Sequence, residues 1–68
     1  MNYGISVKIC LARVEKRVDW LAGELGMSRQ MLYQYIRGQS SPNTNTLDAT
    51  AKAFDMATSA FVREGEAK

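Results

Sequence analysis

Five side chains in RQMLYQYIR, residues 29–37, have the types and spacing for directed hydrogen bonding. Gln30, Tyr33, Gln34 and Arg37 fall at i, i+3, i+4 and i+7, one face of a helix, and Arg29 stands beside them at its start. No acidic residue interrupts this stripe. Such a face works by contact, because covalent catalysis needs groups that are missing elsewhere in the chain. There is no histidine and a single cysteine, Cys10, so neither a zinc site nor a Cys–His or Ser–His pair can be assembled in one chain. No enzyme activity, metal or cofactor is expected.

The stripe needs elements to hold it outward. Ahead of it, Leu21, Ala22 and Leu25 form the inner face of a helix over Val18–Leu25. Gly26 follows the last apolar position, where glycine enters the left-handed conformation without a Cβ clash and stops a helix. Met27 lies in the turn, and Ser28 is a good N-cap for a new helix over Arg29–Arg37. Gly26, Met27 and Ser28 therefore make a sharp turn between two helices, the second locked inward by Leu32 and Tyr35 and closed by Gly38. Ala22 must be small because the second helix crosses over it.

Around this pair the periodicity predicts three more helices. A first runs from about Ser6 to Lys16, with Val7, Cys10, Leu11 and Val14 inward; the setting VKICLARV makes Cys10 a buried thiol and not a reactive one. After the polar loop QSSPNTNT, Pro42 resists helix continuation and Asn43 or Thr44 caps a fourth helix to Phe54, with Leu47, Thr50, Ala51 and Phe54 inward. A short fifth helix or turn over Ser59–Arg63 seats Met56 and Phe61, and residues 64–68 are expected to fray. Met27, Met31 and Met56 are expected to fill the core, and Trp20 to sit at its edge near the N-terminal segment. The fold class is all-α, one domain over residues 1–68.

Sixty-eight residues, 46% hydrophobic, leave room for one small core, and no separate effector-sensing domain is expected. Net charge is only +2, but its distribution is uneven. Residues 1–42 carry six Lys/Arg against three Asp/Glu, and residues 43–68 carry three against four. A mildly basic first part suits an anionic polymer. No apolar run approaches a bilayer span, and MNYGISVK lacks the order of a signal peptide, so a cytoplasmic location is expected.

LAGELGMSRQMLYQYIRG, residues 21–38, with Pro42 and the helix TLDATAKAF, resembles the Cro/phage-repressor (XRE-like) helix-turn-helix family over about residues 17–62. The matching pattern is Leu-Ala, Gly four residues after that Ala, Ser, an aliphatic, an aromatic and a closing Arg-Gly. The resemblance implies a five-helix bundle of lambda-repressor-like type with its helix-turn-helix over about residues 18–37, the second helix entering the DNA major groove. It further implies base contacts from Arg29, Gln30, Tyr33 and Gln34. Arg suits guanine O6/N7 and Gln suits adenine N6/N7, while Tyr33 would meet a thymine methyl or a phosphate. Phosphate contacts fall to Ser28, which is first a cap, and to Arg37, Ser40, Asn43 and Thr44; Arg37 could equally neutralise its own helix C-terminus. Val18 stands where the family carries a phosphate-touching Gln, and Arg17 is the candidate to replace it.

The implied function is a sequence-specific, double-stranded-DNA-binding regulator of transcription, a Cro-like repressor of a phage, prophage or mobile element, in a bacterial cell or infected host near the nucleoid. It would pair as a homodimer on an operator, with Phe61 and Val62 as candidate pairing residues and no small-molecule effector. Two rivals are an antitoxin-like protein-interaction module, favoured by an exposed Trp20 or Phe61, and an activator touching polymerase through Asp19 and Glu24.

Overall fold

Asn2, Ser28 and Asn43 each begin a helix by the same chemistry. A side-chain oxygen accepts a backbone N–H of the first turn: from Ile5 at 3.0 Å, Met31 at 3.1 Å and Thr46 at 2.8 Å. The computed structural model describes residues 2–66, which form α1 (Tyr3–Val14), α2 (Val18–Leu25), α3 (Arg29–Ile36), α4 (Thr44–Ala53) and α5 (Thr58–Glu66), with no strand among the described residues. The all-α expectation and the helix-turn-helix of α2 and α3 are borne out.

Four of the helices end on the same closure, in which an N–H reaches back five residues to a carbonyl. Lys16 bonds Leu11 at 3.0 Å, Met27 bonds Ala22 at 3.1 Å, Gln39 bonds Gln34 at 2.9 Å and Met56 bonds Ala51 at 3.0 Å. The residue before each donor is left-handed: Glu15 at φ 57°, Gly26 at 67°, Gly38 at 82° and Asp55 at 58°. Two of these positions carry glycine as the turn demands; the other two hold side chains in a conformation that L-residues reach only at a cost.

The core gathers Tyr3, Val7, Cys10 and Leu11 of α1, Leu21 and Ala22 of α2, Leu32 of α3, Ala51 of α4, then Phe54 and Phe61. A line of aromatic rings crosses it. Trp20 lies 5.8 Å from Phe54, Phe54 stacks at 6.2 Å on Phe61, Phe61 meets Tyr3 edge-on at 5.8 Å, and Tyr3 meets Tyr35 at 6.0 Å. Both helices of the helix-turn-helix are thus fixed to the same interior, α2 through Trp20 and α3 through Tyr35.

Several boundaries and placements differ from the sequence expectation. Helix α1 starts at Tyr3 and not Ser6, because Asn2 supplies the cap. Helix α5 continues past Arg63 to Glu66, so residues 64–66 of the expected frayed tail are helical; Ala67 and Lys68 lie outside the described residues. Two contacts hold this last turn: Glu64 pairs with Arg13 at 3.2 Å, and Gly65 is buried where a Cβ would strike the Asn2 backbone and Ser6 Oγ. Ser6 Oγ in turn donates to the Phe61 carbonyl at 3.0 Å. Met31 does not fill the core but is 47% exposed, since it falls on the flank of α3 that meets neither α2 nor α1. Val14 is exposed too, at the end of α1. Trp20 is half-buried at the core edge as expected, though its partner is Phe54, with the Lys16 ammonium 5.9 Å from the ring centre. Phe61 is fully buried, so it completes the core and is not a pairing residue.

Candidate nucleic-acid interface

Ser28 opens α3 with an extended backbone (φ −71°, ψ 154°), which turns the chain so that Leu32 points inward. Leu32 has no exposed surface, and Tyr35 and Ile36 are half-buried beside it. With that face fixed, the helical period sends Arg29, Gln30, Tyr33 and Gln34 outward, and all four are exposed. Arg37 is the C-cap residue of α3, and its guanidinium lies over the Tyr33 ring at 5.4 Å from the centre. This contact stiffens two long side chains at the C-terminal end of the stripe.

These five residues line one shallow depression together with Gln39. Gln39 was not foreseen, because it lies beyond the Gly38 stop. Its backbone N–H bonds the Gln34 carbonyl, and the left-handed Gly38 folds it back beside the helix. A stop glycine followed by an amide side chain was the available signal.

The residues proposed for phosphate contact are all exposed but do not form one cluster. Ser28 Oγ is occupied as an acceptor by the Met31 N–H, leaving its proton to donate. Arg37 and Ser40 share a second depression with Asn2 and Pro42. Asn43 is the cap of α4, its Oδ1 spent on the Thr46 N–H, and it lines a third depression with Leu25 and Met27. Thr44 is the first residue of α4, where unpaired N–H groups and the helix dipole attract an anion. Arg17 precedes α2 as its N-cap residue and is exposed; a guanidinium carries only donors, so it cannot cap the helix itself.

The acid-free description holds for α3 itself and needs amending for the surface around it. Asp19 of α2 reaches the start of the stripe, and Arg29 Nη1 donates to its two carboxylate oxygens at 3.1 and 3.2 Å. The pair is in water, with the Arg29 and Asp19 side chains 64% and 65% exposed, so it adds little to folding. Sequence spacing gave no sign of it, because the two residues lie on different helices.

Elsewhere the buried polar side chains among the described residues, Ser6 and Thr50, are hydrogen-bonded and serve the core. Burial pushes the Cys10 thiol up from its ordinary value, and its Sγ lies 3.7 Å from Met56 Sδ. A raised thiol pKa makes an unreactive group, in keeping with the expected structural role. No helix among the described residues is long and apolar enough to cross a membrane.

The helix-turn-helix family model matches residues 12–61, most of the chain, spanning α2, the Gly26 turn, α3 and α4. No curated protein and no solved structure matches the chain. The family match, the turn at a left-handed Gly26 and the outward polar face of α3 agree, and the chain belongs to the Cro- and XRE-type helix-turn-helix family of DNA-binding transcription regulators.

Proposed function

We propose that the chain acts as a single DNA-binding domain that occupies an operator through the major groove and represses transcription, as a Cro-like regulator of a phage, prophage or mobile element. One observation carries this reading: Arg29, Gln30, Tyr33, Gln34 and Arg37 stand together on the exposed face of α3, beside a tight turn that lets the helix project. A major groove about 12 Å wide admits such a helix, and each good bidentate pairing of Arg with guanine or Gln with adenine supplies roughly 1–3 kcal/mol of discrimination. Arg17, Ser28, Arg37, Ser40, Asn43 and Thr44 supply phosphate contacts that set the register.

A single half-site read by α3 alone gives weak binding, so the operator is read by a homodimer with half-sites about one helical turn apart. Regulation then follows protein concentration, without a small-molecule effector. The antitoxin-like alternative loses its main support, since Phe61 is interior and Trp20 packs on Phe54. The activator alternative is weakened likewise, because the Asp19 carboxylate is engaged by Arg29.

Selection of binding sites from random duplexes tests this function. The wild type is expected to enrich a motif, and Arg29→Ala and Gln30→Ala to lose preference at separate positions in it. Enrichment of no motif would refute sequence-specific binding. A motif unchanged by both substitutions would refute the assignment of these residues.

A further inference from the structure

We propose that Asp19 sets the base preference of Arg29, as a positioning residue on α2 for a reader on α3; this deepens the operator-reading function above and rests on it. The geometry is specific about which donors are taken. Arg29 Nη1 donates to both oxygens of the Asp19 carboxylate, Oδ1 at 3.1 Å and Oδ2 at 3.2 Å. Nη2 and Nε have no partner among the described residues, and they make a parallel donor pair along one edge of the guanidinium. That edge matches guanine O6 and N7. Asp19 therefore holds one end of the group and leaves a complete fork to the base.

Two further consequences follow from charge. Arg29 is the first residue of α3, where the helix dipole disfavours a cation, and the Asp19 carboxylate offsets this locally. Asp19 also places a negative charge at the margin of a face meant for a polyanion, which opposes binding to any duplex. A duplex with guanine in place keeps Arg29 shared between carboxylate and base. A duplex with another base there leaves the fork unmatched while the carboxylate still repels phosphate. Asp19 thus lowers general affinity and raises selectivity. Because the pair is exposed, its loss does not disturb the fold, and the effect is confined to where the guanidinium points.

The test measures binding of the wild type, Asp19→Ala, Asp19→Asn, Asp19→Glu and Arg29→Ala to three duplexes: the selected site, the same site changed at the base pair whose preference Arg29→Ala abolishes, and an unrelated sequence. The wild type is expected to discriminate the first two by about tenfold or more, one good bidentate contact's worth. Asp19→Ala and Asp19→Asn are expected to reduce that ratio to about threefold or less and to bind the unrelated duplex several-fold more tightly, with thermal unfolding unchanged. Asp19→Glu, which keeps the carboxylate, is expected to retain most of the discrimination. Undiminished discrimination in both Asp19→Ala and Asp19→Asn overturns the proposal and leaves the operator reading standing. If Arg29→Ala abolishes preference at no position, Arg29 is not the reader and the proposal falls with sequence-specific binding intact. If the wild type enriches no site, the functional reading itself fails and takes the proposal with it.

Discussion

The Tyr3 hydroxyl and Thr50 Oγ1 lie 2.9 Å apart inside the core, and a third atom fixes the direction of the bond between them. Thr50 Oγ1 gives its only proton to the Thr46 carbonyl at 2.7 Å, so the Tyr3 phenol is the donor and Thr50 the acceptor. This bond ties the start of α1 to the middle of α4, behind the ring that packs on Tyr35 of α3. Tyr3→Phe removes a donor and leaves Thr50 still bonded to Thr46, at a cost of about 1 kcal/mol. Thr50→Val strands a buried phenol and costs more, about 1–3 kcal/mol. Urea unfolding of the two variants gives the order; equal stability in Thr50→Val and wild type would contradict it.

Glu15 and Gly26 adopt nearly the same left-handed backbone, at φ 57° and 67°, with opposite consequences for substitution. Glu15→Gly relieves the Cβ clash and is expected to stabilise the fold by about 0.5–1 kcal/mol, net of the added freedom of the unfolded chain. Gly26→Ala introduces the clash at the turn that aims α3 and is expected to destabilise by about 1 kcal/mol. Thermal melts that move in opposite directions for the two variants support this account.

Tyr3 and Cys10 make the fold sensitive to alkali. Burial raises the phenol of Tyr3 above its ordinary 10.0, with Tyr35 adding to that shift, and burial raises the thiol of Cys10 above 9.0. Both groups release protons from the unfolded chain before they do so from the folded one. Their contribution is therefore complete below about pH 9 and is lost as pH rises through the two folded values. The urea midpoint is expected to fall as pH rises above about 9, and to fall less steeply in Cys10→Ala. An identical slope in that variant would show that the thiol takes no part.

On DNA, the two kinds of contact separate by their salt response. Arg37→Ala is expected to weaken binding to all duplexes alike and to reduce the salt slope by about one ion. Gln30→Ala is expected to cost roughly 1–3 kcal/mol on the selected site alone, with the slope unchanged. Binding measured across a salt series on selected and unrelated duplexes distinguishes them, and a uniform loss in Gln30→Ala would move Gln30 to the backbone-contacting set.

Much of the fold was legible because it follows one period. Val7, Cys10 and Leu11, then Leu21 and Ala22, then Leu32, then Thr50, Ala51 and Phe54 all face inward at helical spacing. The outward placement of Gln30, Tyr33 and Gln34 is the complement of the same rule. What escaped was decided by contacts between distant segments. Gly65 reads as a helix breaker in a polar tail, yet it is needed where α5 crosses Asn2 and Ser6. Tyr3 and Gly4 are weak helix formers, and tertiary packing of Tyr3 overrides them. Met31 looks apolar enough for the core, but no neighbouring helix covers its side of α3. The Asp19–Arg29 pair joins two helices and has no periodic signature.

The central claim is that the outward face of α3 lies against base edges, and nuclear magnetic resonance of the protein titrated with its selected duplex tests it most directly. The account predicts intermolecular contacts between bases and the side-chain amides of Gln30 and Gln34, with the Arg29 guanidinium shifted in the same titration. Contacts confined to α1 or α5, with those amides unmoved, would contradict it.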